Sequence, residues 1–151
     1  MKASVVLAAL LLCACKTAAP PAPPIVHDDE AGLRALINLP GTPAKVAWCE
    51  EAMGTANPRV PGPNDWQLEA VLVYPTSQRA AVSAAIRARP TVVPVTMPPS
   101  SCLPKPTLEG NAGLFGREGR DVSGLARSPL SAGMVAWDGT SGTMFLQAHT
   151  M

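Results

Sequence analysis

The chain has 151 residues, which is enough for one domain of ordinary size and too few for two. Its 12 Lys and Arg nearly balance its 11 Asp and Glu, and no basic run exceeds two residues. This excludes the basic surface expected of a nucleic-acid-binding protein. Aromatic residues make up 4% and there are 17 prolines, so we expect a loop-rich domain with a core of Ala, Val and Leu.

A short apolar leader begins the chain. The basic residue Lys2 precedes the apolar run VVLAALLL at positions 5–12, which is far shorter than the ~20 residues that span a bilayer. The leader ends in LCAC at positions 12–15, and this motif resembles the lipobox of bacterial lipoprotein signal peptides. Small Ala14 before the cut favours Cys15 over Cys13 as the modified residue. The alternative is an ordinary secretory signal that contains cysteines.

The resemblance implies that residues 1–14 are removed and that Cys15 carries a diacylglycerol and usually an N-acyl chain, a palmitate-type anchor stable enough to hold the protein on a membrane. Lys16, in place of Asp, favours the outer membrane, with the domain in the periplasm. Residues 15–27 include KTAAPPAPP, and such a proline-rich segment favours an extended, semi-rigid tether. A proline-rich ligand for a groove-binding partner is the alternative.

The pattern of apolar and turn residues predicts one α+β domain over residues 28–151. In chain order we predict a helix over 28–39, strands over 44–50 and 66–74, a helix over 76–89, an edge strand over 91–96 and a hairpin over 133–137 and 143–149. In the second helix, Val82 and Ile86 form a thin apolar stripe, and Arg79, Arg87 and Arg89 are expected to face water. The stretch 97–131 has no convincing periodicity. We therefore expect a small antiparallel or mixed sheet with about two helices packed on one face and a C-terminal β-hairpin.

Two cysteines remain once Cys13 is removed with the leader and Cys15 is lipidated. An even pair in an oxidising compartment predicts a disulfide between Cys49 and Cys102. Two buried free thiols are an alternative. A redox pair is another, although such pairs usually form a Cys-x-x-Cys motif, which is absent here.

No motif predicts a catalytic, cofactor-binding or metal site. The one dense cluster of metal-ligand types is HDDE at positions 27–30, and the capping of the first helix already explains its acids. His149 is expected at the surface. The three tryptophans, Trp48, Trp66 and Trp137, lie on predicted strands and are expected in the core, with an exposed partner-binding Trp as the alternative.

Two functions fit these observations. The first is a membrane-anchored envelope lipoprotein that is not an enzyme and whose domain binds another envelope protein or stabilises an assembly. The alternative is an envelope enzyme or small-ligand binder that uses residues 107–127, with the charged side chains Arg117, Glu118, Arg120 and Asp121. The domain itself resembles no family that would decide between them.

Overall fold

A computed structural model describes residues 23–53, 65–98 and 101–150. The predicted signal peptide, Cys15 and most of the tether lie outside these residues. The helices are α1 (Glu30–Leu36), α2 (Arg79–Arg87) and α3 (Lys105–Glu109), and the strands are β1 (Lys45–Met53), β2 (Asp65–Val73), β3 (Thr91–Pro94), β4 (Glu118–Asp121), β5 (Ala132–Asp138) and β6 (Thr143–His149). No helix in the described ranges is long and apolar enough to cross a membrane.

The six strands form one sheet in the order β1-β2-β6-β5-β4-β3, and every neighbouring pair is antiparallel. The predicted C-terminal hairpin is confirmed as β5 and β6, which lie at the centre of the sheet. The predicted edge strand is confirmed as β3. The sheet is larger than the small one expected, because β4 comes from the stretch 97–131, where four residues were too few to show a period.

One face of the sheet carries the larger core. Side chains at alternate positions of β2 and β6 meet the apolar residues of α1 and α2 there, and this cluster includes Leu33, Ile37, Trp48, Leu68, Leu72, Tyr74, Val82, Ile86, Val135 and Leu146. Two helices on one face were predicted, and α1 and α2 occupy that position. Val82 and Ile86 form the expected stripe on α2 because residues four apart share one side of a helix.

The opposite face is also covered, which the prediction of helices on one face missed. Val71 of β2 and Phe145 of β6 point to this face and pack with Cys102, Leu108 and Leu114 from the segment that contains α3. Since β2 and β6 carry apolar side chains on both faces, each face has to be shielded from water. The fold is therefore α+β with layers on both sides of the sheet.

Helix α1 is shorter than the predicted 28–39. It begins at Glu30 because the Asp29 carboxylate accepts a hydrogen bond of 2.7 Å from the Gly32 amide, which is the expected N-cap. It ends at Leu36 because Ile37 is extended and forms a β-bridge with Ala126. A contact distant in sequence thus ends the helix before Pro40.

The segment upstream of α1 joins the sheet at the free edge of β1. His27 and Trp48 exchange two backbone hydrogen bonds of 2.7 and 2.9 Å, and their rings stack with centroids 4.4 Å apart. The Trp48 indole also donates to the Asp29 carbonyl at 3.0 Å. The chain therefore enters the domain along β1, and Ile25 and Val26 separate Pro24 from His27.

Candidate functional site

A cleft of about 610 Å³ opens beside the turn of the β5–β6 hairpin, with walls from α2, β4 and the turn itself. Four arginines line it: Arg79, Arg87, Arg117 and Arg120. Its volume falls in the range of small-molecule sites, about 300–1,000 Å³. We refer to it below as the arginine cleft.

Helix α2 supplies one side of the arginine cleft. Arg79, Ser83 and Arg87 are spaced by four residues and so lie on the same side of the helix. Arg79 Nη1 donates to the Thr140 carbonyl at 2.6 Å, which ties the helix to the hairpin turn. Arg87 is exposed, as the sequence predicted, and its side chain makes no hydrogen bond or ion pair within the described residues. Arg79 was also expected in water but is half-buried because of its contact with the turn.

The other side comes from the segment 107–127, which the sequence had marked as a candidate ligand site. Arg117 Nη2 lies 3.3 Å from Asp138 Oδ1. Arg120 Nη2 lies 2.7 Å from Glu118 Oε2, and its Nη1 donates to the Arg89 carbonyl at 3.1 Å. Three of the four charged residues singled out there therefore line the cleft.

Asp121, the fourth of those residues, does not line the cleft. Its carboxylate instead accepts hydrogen bonds from the hydroxyl and the amide of Ser123. These bonds hold the pKa of Asp121 below its ordinary value. The residue stabilises the turn after β4.

The hairpin turn holds Asp138 in its charged form. Burial alone would raise the pKa of Asp138, but hydrogen bonds from the Thr140 amide at 3.0 Å and the Ser141 hydroxyl at 2.9 Å, with the nearby charge of Arg117, outweigh it and lower the pKa. The carboxylate in turn orients the Arg117 guanidinium. Three of the four arginines are thus held in place by hydrogen bonds or ion pairs.

Trp137, which lines the cleft, and its neighbour Tyr74 each carry a buried polar atom. Trp137 lines the cleft and packs edge to face on Tyr74, with ring centroids 5.8 Å apart. Neither the Trp137 indole nitrogen nor the Tyr74 hydroxyl has a hydrogen-bond partner among the described residues. Burial raises the pKa of Tyr74, so its hydroxyl is neutral. Unpaired buried polar atoms are uncommon in native proteins.

The described lining residues are suited to binding an anion and do not include an activated nucleophile. Apart from the arginines, the lining contains two carboxylates, the hydroxyls of Ser83 and Thr140, and no histidine, lysine or cysteine. A hydroxyl nucleophile normally needs a neighbouring base to activate it. The two carboxylates are occupied by arginines, so the cleft offers hydrogen-bond donors and positive charge.

Comparison with known proteins adds nothing to this description. No protein-family model matches the chain, and no match to it was found among curated proteins or solved structures.

The predicted disulfide between Cys49 and Cys102 is present. Beside it, the side chain of fully buried Glu69 accepts hydrogen bonds from the side-chain Nε2 of Gln67 at 2.7 Å and of Gln147 at 3.2 Å. It also accepts one from the Ser101 hydroxyl. The two cysteines and Glu69 lie close enough for a metal site. The disulfide leaves no thiolate to bind a metal, so the cluster is structural.

The acidic cluster at 27–30 lies beside Trp48, and the three tryptophans differ in their burial. His27 stacks on Trp48, and its Nδ1 lies 3.9 Å from an oxygen of the capping residue Asp29. Trp48 is buried as predicted, and Trp137 is half-buried at the cleft. Trp66 is 43% exposed, and the prediction that it lies in the core was wrong, because it stands near the start of β2, before the core positions that begin at Leu68.

Proposed function

We propose that the protein is a membrane-anchored lipoprotein of the bacterial envelope whose domain is a binding module and not an enzyme. The domain recognises an anionic group of another envelope component in the arginine cleft. The observation that carries this proposal is the convergence of four arginine side chains from two separate segments on one cleft. The proposal combines two expectations from the sequence. Binding of an envelope partner was the first expected function, and a ligand site at residues 107–127 belonged to the alternative.

Charge distribution supports recognition of an anion. The chain as a whole is almost neutral, with a formal net charge of +1. The cleft concentrates four cationic side chains against the two carboxylates of Glu118 and Asp138. In a concave site, which is poorer in water than an open surface, such an excess attracts anions more strongly than the same charges spread over a surface.

The tether and the anchor support an envelope location. The motif at positions 12–15 is followed by a proline-rich segment, and His27 joins the β1 edge. About twelve residues of extended tether reach roughly 35 Å, enough to lift the domain clear of a bilayer surface. A lipid on Cys15 would then position the arginine cleft near other envelope components.

Substitution of Cys15 is the test of the anchor. We expect Cys15→Ser to abolish incorporation of radiolabelled palmitate in a bacterial host and to leave the chain out of the membrane fraction. The matched control, Cys13→Ser, should be labelled and membrane-bound like the unchanged protein. Labelling that survives in Cys15→Ser and is lost in Cys13→Ser would contradict the assignment.

Substitution of Arg87 is the test of anion binding. Isothermal titration of the full chain in detergent with benzoate, sulfate and phenyl phosphate should detect binding of at least one anion. Arg87→Gln should weaken that binding at least tenfold, since a hydrogen bond to a charged group contributes about 1.5–3 kcal/mol and a factor of ten corresponds to about 1.4 kcal/mol. Arg127→Gln is the control, because Arg127 is exposed, bonds Asn38 and does not line the cleft. Failure of all three anions to bind would overturn the proposed function.

A further inference from the structure

We infer that the arginine cleft selects a phosphate monoester in its doubly charged form, an inference that rests on the proposed function. The four arginines against the carboxylates of Glu118 and Asp138 leave an excess of two positive charges in the lining. A phosphate monoester carries about −1.5 to −2 charges at pH 7, so one such group balances this excess. A carboxylate leaves half of it uncompensated.

The directions from which the arginines arrive also favour phosphate. Arg79 and Arg87 come from α2, whereas Arg117 and Arg120 come from β4 and the residue just before it, on a separate wall. A carboxylate has two oxygens in one plane and is suited to a single guanidinium fork in that plane. A phosphate monoester has three acceptor oxygens in a tetrahedral arrangement and can be bound from several sides at once.

The hydrogen-bonding capacity of the lining points to a ligand rich in acceptors. Glu118 already accepts from Arg120 and from the Thr91 hydroxyl at 2.8 Å, and Asp138 from the hairpin turn and Arg117. The groups left for a ligand include the remaining N–H bonds of the arginines and the hydroxyls of Ser83 and Thr140. Because the carboxylates and backbone carbonyls hold three guanidinium groups in place beforehand, little side-chain freedom is lost on binding.

The affinities of phenyl phosphate and benzoate for the full chain in detergent test the inference, since the two probes share a ring and differ in the acidic group. We expect phenyl phosphate to bind at least tenfold more tightly at pH 8. Its affinity should fall about tenfold between pH 8 and pH 5, because the second phosphate pKa is about 6 and the monoanion predominates below it. Sulfate remains doubly charged over this range and reports any titration of the protein itself.

The possible results separate the two proposals. Benzoate binding as tightly as phenyl phosphate, or a phenyl phosphate affinity no more pH-dependent than that of sulfate, would overturn the selection of a phosphate dianion and leave anion binding intact. Loss of phenyl phosphate binding in Arg87→Gln but not in Arg127→Gln would assign the binding to the cleft. Equal loss in both variants would overturn that assignment.

Phosphate monoesters in an envelope occur in lipid headgroups and in soluble compounds. The full chain reconstituted in phosphatidylcholine vesicles, with and without phosphatidic acid, distinguishes these sources. If a headgroup occupies the cleft, phosphatidic acid should compete and weaken phenyl phosphate binding several-fold. An unchanged affinity would assign the cleft to a soluble phosphate monoester, and both results support the inferred chemistry.

Discussion

Replacing both cysteines of the Cys49–Cys102 disulfide with alanine is expected to lower the free energy of unfolding by about 4 kcal/mol. The two residues are 53 positions apart, and the chain-entropy model assigns this value to a loop of about that length. The bond joins β1 to the segment that covers the second face of the sheet. Since a domain of this size is stable by about 5–15 kcal/mol, the loss is a large share of the total.

Urea unfolding of the full chain in detergent, with and without a thiol reductant, measures this effect. The reductant should lower the urea midpoint of the unsubstituted protein to that of the double variant. It should leave the midpoint of the double variant unchanged. A variant as stable as the unreduced protein would show that the second layer is held by Leu108, Leu114 and Phe145 alone. It would also show that Glu69 and its partners do not depend on the bond.

The Gly133→Ala substitution is expected to destabilise the protein by about 3 kcal/mol or more, because overpacking and a strained backbone each contribute about 1–3 kcal/mol. Gly133 is the second residue of β5 and has φ at +142°, a conformation that residues with a side chain rarely adopt. A methyl group there would overlap the carbonyl oxygen of Gln147 on the neighbouring strand. That strand, β6, is paired on both sides and cannot move away without breaking its hydrogen bonds.

Gly113→Ala is the matched control for this substitution. Gly113 lies in the turn Ala112–Leu114 with open space at the position of a new methyl group and no positive φ. The change should leave the urea midpoint almost unaltered or raise it slightly, because alanine restricts the unfolded chain. Similar losses of stability in the two variants would contradict the steric explanation for Gly133.

The elements that could be predicted from the sequence are those with a clear period and clear boundaries. Strand β2 alternates polar and apolar residues from Asp65 to Ala70, continues as an apolar run and is followed by Pro75, and α2 carries Val82 and Ile86 four residues apart. The hairpin was marked by the glycine-containing turn 138–142 between two apolar runs. Strand β4 could not be predicted because its four residues, EGRD, have no apolar pattern and are held by pairing with β3 and β5.

Only one wall of the arginine cleft could be predicted from the sequence. Arg117, Glu118 and Arg120 were singled out as charged residues in an irregular stretch, and the structure places all three on the cleft. Arg79 and Arg87 were interpreted as a solvated helix face, because nothing in their spacing reveals which segment lies opposite. The two pairs of arginines are about 30 to 40 positions apart along the chain and meet only when the sheet forms.

The sequence by itself determined the α+β class, the edge position of β3, the hairpin and the cysteine pair, because each follows from local periodicity, from proline chemistry or from counting. The second layer on the sheet, the early end of α1 at Ile37 and the buried site of Glu69 were decided by tertiary contacts between distant residues. The same is true of the arginine cleft. A chain that is neutral in composition acquires a local excess of positive charge because strand pairing brings β4 and the hairpin turn against α2.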